Sequence, residues 1–384
     1  MKVLFVATVV KTHINAFHLP FLQMFKNNGW KTSVCARNDF ENTSDCVIPY
    51  CDTYYDLPFE RSPFKLNNLK TFFKLRKIIK KEKFDIVHCH TPSGGVLSRI
   101  AAVGLRRRGL KVIYTAHGFH FYKGAPLINW LLYFPIEWVC SFLTDTLITI
   151  NKEDFEFAKK YMHAKEITYV PGVGIDAKSV KAVSVNRKQK RNELGINENE
   201  IAVLSVGELN DNKNHETVLQ AIGKTGNKNI VYIICGEGGQ EEHLKQLAGQ
   251  AGVRLILLGY RNDITQICKS CDIFAFPSKR EGLSKSLMEA MVAGLPVVCS
   301  KIRGNVDLID DETGGYLCAP MDVDSFAQKI QILCENGMLR KNMAEENIKK
   351  VEDFSMDTVR AKMKMIYNLP VKEKEHESTS FAAK

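Results

Sequence analysis

The sequence predicts an α/β fold of two Rossmann-like domains, each a parallel sheet flanked by helices, facing one another across a cleft. Three observations predict it. The chain has 384 residues, about two domains by the usual size of a folding unit. Short apolar runs suited to buried strands alternate with helical patterns, and strands separated by helices lie parallel with crossover connections. The series is interrupted by one polar, basic stretch and then begins again.

In order, the first series of runs covers residues 3–7, 31–36, 85–90, 112–117, 146–151 and 167–171, and the second covers 201–206, 230–235, 253–259, 273–277, 296–300 and 315–319. These set an N-terminal domain at 1–175, a linker at 176–198 and a C-terminal domain at 199–354. A helical segment follows at 355–369, then a charged tail at 370–384 with nothing apolar to bury, expected to be disordered. The opening MKVLFVATVV is short and has no small-residue cleavage site, so it reads as the first buried strand and not as a signal peptide. The run LINWLLYFPIEWVCSFL at 127–143 comes nearest to a membrane span, but it has 17 residues and contains Pro135 and Glu137. A buried helix pair is expected there.

Composition excludes several classes. Eleven cysteines, about 3%, fall well below a disulfide scaffold and sit in apolar runs, as a reducing cytoplasm allows. Between residues 61 and 111 there are 14 Lys/Arg against Glu82 and Asp85, a balance of +12, which exceeds the +10 of the whole chain. Much of this charge lies in KLNNLKTFFKLRKIIKKEK (65–83), where cations alternate with Leu69, Phe72, Phe73 and Ile79 at helical spacing. Such a helix is either a solvated face or a surface meeting anionic lipid or phosphates. A nucleic-acid binder is disfavoured, because the basic excess lacks a recognition motif and interleaved aromatics.

Chemistry concentrates in PSKREGLSKSLMEAMVAGLPVV (277–298), which reads as strand end, loop and a helix stopped by Gly294 and Pro296. Glu281 and Glu289, eight residues apart, are separated by roughly 12 Å along a helix. Carboxyl groups flanking one glycosidic bond lie about 5 to 9.5 Å apart, so this spacing suits one elongated ligand held at two points. Between them the amides near Gly282, Leu283 and Ser284, with the helix dipole and the neighbouring Lys279 and Arg280, suit a diphosphate. A nucleoside diphosphate sugar fits. The plainer alternative is a capped amphipathic helix with surface glutamates.

Other polar residues fall at strand ends, where doubly wound sheets bind ligands. Lys11, His13 and Asn15 follow the first strand, His88 and His90 end another, and His117 ends a third; GELNDNK (207–213), GEGG (236–239) and GYRND (259–263) do so in the second half. A single histidine in an apolar strand is usually structural, whereas a set along one cleft edge points to function. Cys268 and Cys271 form a CxxC with no second ligand pair, and Asp322-Val323-Asp324 precedes an amphipathic helix, where aspartate is a routine N-cap. No metal or other cofactor is therefore expected.

Together these residues resemble the retaining glycosyltransferases of family 4, on the two-domain GT-B fold. The signature is Glu-x7-Glu from Glu281 to Glu289, supported by SVGEL…K, CGEGG and LLGYRND in order. TVVKTHINAFHLPFL, HCHTPSGG and TAHGFHFYKGAPLINWLLYFPIEW resemble the branch building bacterial capsule and exopolysaccharide units on a lipid carrier. The resemblance implies that Glu289 holds the ribose, Glu281 and Gly282 the donor sugar and Lys213 the diphosphate. His117 would face the transferred sugar, and backbone around Tyr260 and Arg261 would read the base. Gly236, Arg280, Leu283 and Ser284 join this donor set, with Lys11, His13, Asn15 and His90 on the acceptor side. Many members carry arginine where this chain has Glu208, and Arg280 could substitute for it. The last helix would cross back to the first domain. The resemblance further implies a UDP-sugar donor, a polyprenyl-diphosphate-linked saccharide acceptor and a cytoplasmic enzyme held at the anionic inner face of the membrane. A nucleotide-sugar 2-epimerase on a similar fold is the competing enzyme; it needs carboxylates near the sugar ring, where the first domain offers mainly histidines.

Overall fold

The computed structural model describes residues 1–62 and 65–370. The first domain holds a parallel sheet of seven strands: β1 (Lys2–Val9), β2 (Lys31–Arg37), β3 (Thr53–Asp56), β4 (Ile86–His90), β5 (Lys111–Ala116), β6 (Thr146–Thr149) and β7 (Glu166–Tyr169), in the order β3-β2-β1-β4-β5-β6-β7. The second holds six: β8 (Ile201–Val206), β9 (Ile230–Cys235), β10 (Arg254–Leu257), β11 (Ile273–Phe276), β12 (Val297–Ser300) and β13 (Gly315–Cys318), in the order β10-β9-β8-β11-β12-β13. Alternation along β1 explains why the strands read as unbroken apolar runs. Leu4 and Val6 pack with Leu75, Ile79 and Leu97 on one side, while Val3, Phe5 and Ala7 pack with Leu22 and Phe25 on the other. The exception is β3, whose TYYD is half-exposed at the sheet edge and carries no apolar run to betray it.

Three expectations change. The stretch 176–198 is not a bare linker: Ala177–Ala182 and Arg187–Glu193 are helices capped by Asp176 and Asn186. Val180, Leu194 and Ile196 join the second core, and the buried Lys190 and Arg191 pair with Asp263 and Asp272. Two short helices that bury cations against acidic partners leave no apolar period to read. The run at 127–143 is one helix, Leu127–Ser141, continuous through Pro135, and not a buried pair. Its inner side is fixed by a buried Arg99–Glu137 ion pair (2.8 Å), which leaves the opposite apolar side outward. His88, expected at the cleft edge, is buried, with Nδ1 2.7 Å from the Tyr367 hydroxyl and Nε2 2.8 Å from Thr115 Oγ1.

That tyrosine belongs to the Met356–Tyr367 helix, which follows the second domain yet packs Val359, Met363 and Ile366 into the core of the first. Of the tail expected to be disordered at 370–384, residues 371–384 lie outside the described residues. No described helix is long and apolar enough to cross a membrane.

Candidate active site

In each sheet the chain reverses direction next to its first strand, between β1 and β4 and between β8 and β11. Loops there splay apart and open a crevice at the strand ends. The two crevices face each other around a cavity of roughly 340 Å³. The first domain lines it with His13, Thr91, His117 and the inner residues Tyr133 and Glu137 of the Leu127–Ser141 helix; the second contributes Asn212, Arg280, Glu281, Gly282 and Arg303.

On the second-domain side, two loops are fastened together. Lys279 N–H donates to the Asn212 carbonyl (2.8 Å), and Asn214 Nδ2 to that of Pro277 (3.1 Å). This brings Lys213 Nζ within 2.7 Å of Glu281 Oε1 and 5.0 Å above the Phe276 ring. The residues expected for diphosphate and sugar therefore already form an ion pair. The following helix, Lys285–Val292, starts at Ser284, whose hydroxyl accepts the Leu287 N–H (3.3 Å). The same hydroxyl lies 3.0 Å from Ser286 Oγ, so its side-chain contacts are made within the helix start. One turn on, Glu289 is mostly buried; burial pushes its carboxyl above the usual range, opposed by Lys285 at 3.6 Å.

Gly282 is where the domains touch. A Cβ there would lie 2.2 Å from the His117 carbonyl oxygen, so only glycine permits this approach. The junction is clasped by Arg303, which the sequence reading missed. Its guanidinium reaches Asp154 of the first domain (2.6 Å) and the carbonyls of Phe119 (2.6 Å) and Glu281 (3.2 Å). Burial pushes the Asp154 carboxyl upward, and Arg303 opposes that shift and holds the charge. With these contacts made, Arg303 positions the Glu281 backbone; Arg280, the other arginine lining the cavity, is exposed.

The histidines that line the cavity, His13 and His117, belong to a cluster that continues beneath it with His18 and His90. Ligand atoms of His13, His18, His90 and His117 are within 4.8 Å of one another, and His18 stacks on His90 at 3.7 Å. Burial lowers all four pKa values, that of His117 to about 4, so the imidazoles are neutral near pH 7. Among the described residues this is the one group of three or more side chains with convergent metal-ligating atoms, and it contains no carboxylate.

The remaining expected residues are dispersed. Lys11 is exposed, with Nζ 5.8 Å from the Phe40 ring, and Asn15 donates to the Val47 carbonyl (2.9 Å); neither lines the cavity. His90 lies beneath His117 and does not line it either. Gly236 donates its N–H to Gly259 (2.8 Å), closing the strand ends and leaving that amide no proton for a phosphate. Arg261 is paired with Asp263, whereas Tyr260 stands 73% exposed at the same rim. Asp322 caps the Val323–Glu335 helix, Asp324 pairs with Lys224, and neither lines the cavity.

Comparison with known proteins agrees with this geometry. Residues 186–350 match the family model described as glycosyl transferases group 1, and residues 2–151 match glycosyl transferase 4-like. EpsD of Bacillus subtilis (strain 168), a proposed glycosyltransferase, is 37% identical over 96% of each chain. This chain belongs to glycosyltransferase family 4. The UDP-Gal:alpha-D-GlcNAc-diphosphoundecaprenol alpha-1,3-galactosyltransferase of Escherichia coli is 33% identical, covering 77% of this chain and 81% of its own. Among solved structures, Anabaena HepE in complex with UDP superimposes with a TM-score of 0.79 at 19% identity, covering 96% of this chain and all of its own. The likeness shows the GT-B fold of this glycosyltransferase, whose cleft is the cavity described above.

Proposed function

We propose that this glycosyltransferase moves a hexosyl unit from a UDP-sugar to a polyprenyl-diphosphate-linked saccharide, with retention, in capsule or exopolysaccharide assembly. The observation that carries this reading is that Glu281, just before the Lys285–Val292 helix, lines one cavity with His117, and that Lys213, which does not itself line it, is paired with Glu281 from behind (2.7 Å). Lys213 and the helix start suit a diphosphate, the Glu281 carboxylate suits sugar hydroxyls, and neutral His117 accepts a hydrogen bond from the transferred sugar. In a retaining transfer the acceptor hydroxyl attacks from the face the diphosphate leaves, and the departing phosphate takes its proton. The protein supplies position and charge stabilisation. The names of the relatives support the donor and acceptor classes: the Escherichia coli enzyme is named for UDP-Gal and a diphosphoundecaprenol acceptor. A lipid-linked acceptor implies work at the cytoplasmic face of the membrane.

The test is incubation with a panel of UDP-sugars and a short-chain polyprenyl-diphosphate sugar, with the anomer read by NMR. Transfer with inverted configuration, or an epimer formed without acceptor, would count against the reading. For donor binding, Glu289→Ala is expected to weaken UDP by about 10- to 150-fold, through loss of charge-assisted hydrogen bonds of about 1.5 to 3 kcal/mol; calorimetric titration measures it. We further expect turnover to survive EDTA, because Asp322 caps a helix, Asp324 pairs with Lys224, and the two carboxylates that line the cavity are each paired with a cation, Glu137 with Arg99 and Glu281 with Lys213. Activity restored only by Mg²⁺ or Mn²⁺ would overturn that expectation.

A further inference from the structure

The Leu127–Ser141 helix has two unlike sides. Tyr133 and Glu137 line the cavity, and Trp130 and Phe134 pack on the first core. On the opposite side Leu127, Ile128, Leu131, Leu132, Trp138 and Val139 are all exposed, Leu127 at 81% and Leu131 at 71%, and Phe142 continues the row at 49%. The spacing of three and four residues makes this a single continuous stripe along one helix face. Single exposed apolar residues are ordinary, but a contiguous patch marks a contact surface. The stripe cannot roll inward, because the buried Arg99–Glu137 pair fixes the helix from behind.

Cations border the patch. At its C-terminal end Arg107 and Arg108 are exposed beside Arg106, which is itself paired with Asp145 (2.7 Å) and donates to the Phe142 carbonyl (2.9 Å); Lys123 is exposed before its N-terminal end. The basic Asn67–Glu82 helix is tied to the neighbouring Ala101 and Val103 carbonyls by Arg76, and Val103 is itself exposed. We propose that this stripe is a membrane-insertion surface that seats the enzyme on an anionic phospholipid bilayer, with the acceptor side of the cleft opening at the lipid surface. The inference rests on the lipid-linked acceptor of the proposed function and adds what holds the enzyme there: apolar insertion of the Leu127–Ser141 helix. An apolar face with a basic border lies in the plane of the interface, with its apolar residues among the acyl chains and its cations at the headgroups. Trp138 and Phe142 have the aromatic character favoured at that boundary. A second copy of the chain is a poorer occupant, because a two-fold contact would set the same cationic borders against each other.

The test is co-sedimentation of the full chain with phosphatidylglycerol/phosphatidylcholine vesicles at about 0.15 M and about 1 M salt, where the Debye length falls from about 8 to about 3 Å. The wild type is expected to remain largely bound at high salt, since insertion is not screened. The variant Leu127→Ser/Leu131→Ser/Val139→Ser is expected to lose at least tenfold in vesicle affinity at both salts, with UDP binding and transfer to a short-chain acceptor unchanged. Replacing Lys74, Lys77, Lys80 and Lys81 with glutamine should weaken binding only at low salt. Unaltered vesicle binding by the serine variant overturns the proposal, as does wild-type binding abolished by salt. So does a change from dimer to monomer in the serine variant without loss of vesicle binding. Failure of the wild type to transfer to the short-chain acceptor would count instead against the acceptor reading.

Discussion

Glu281→Ala is expected to lower turnover about a hundredfold or more while UDP affinity stays within a few fold. The carboxylate sits at the junction of the two domains, held by Lys213 at 2.7 Å, with its own backbone carbonyl fixed by Arg303 at 3.2 Å. A polar group preorganised next to the reacting centre is worth about 10² to 10³ in rate, because nothing need reorganise as charge develops. UDP affinity is spared for two reasons. On the proposed reading the carboxylate meets the sugar and not the UDP moiety, and its removal would release Lys213 from its ion pair and strengthen the positive field at the diphosphate. Glu289→Ala has the opposite profile, and single-turnover kinetics with calorimetry on both variants separate them. Equal loss of UDP binding in the two would sink the idea of one ligand held at two points.

Acidification is expected to destabilise the first domain well before its carboxylates titrate. Burial lowers the pKa of His88 to about 3 and of His117 to about 4, and those of His13, His18 and His90 move the same way. In the unfolded chain each imidazole titrates near about 6.5. Below that value the unfolded state binds protons that the folded state refuses, so stability is fully present above pH 6.5 and falls as pH drops toward 4. For His88 and His117 alone the loss between pH 7 and pH 5 is about 4 kcal/mol, a large share of the stability of a domain. Denaturant unfolding at the two pH values measures it, and a His88→Gln/His117→Gln variant should flatten the profile. A flat wild-type profile would show that the imidazoles are not held neutral, and metal analysis would then test whether an ion occupies the cluster.

What could be read without coordinates was local in the chain. The alternation of apolar runs and helical periods is written residue by residue, and it yields twelve of the thirteen strands; β3 escaped because an edge strand such as TYYD buries too little to need an apolar run. The start of the Lys285–Val292 helix was legible for the same reason: its cap, glutamates and stop lie within one short stretch. The basic Asn67–Glu82 helix was legible as a helix, but nothing in its own sequence says which neighbour continues its outward surface.

The two parallel sheets, the donor-side motif and the family are written in the chain itself, because each rests on period, spacing or the order of motifs. The assembly of the site is written in the packing. Arg303 and Asp154 are 149 residues apart, and no local pattern couples a guanidinium to a carboxylate that far away. His13, His18, His90 and His117 come from three strand ends and converge only once β1, β4 and β5 lie side by side. The Leu127–Ser141 helix is the clearest case. Its sequence is apolar nearly all round, which is ambiguous between core and surface, and it was the Arg99–Glu137 pair, formed across 38 residues, that chose which side faces the cavity and which side faces out. Periodicity states how many faces a helix has; only packing against partners distant in the chain decides where each face points.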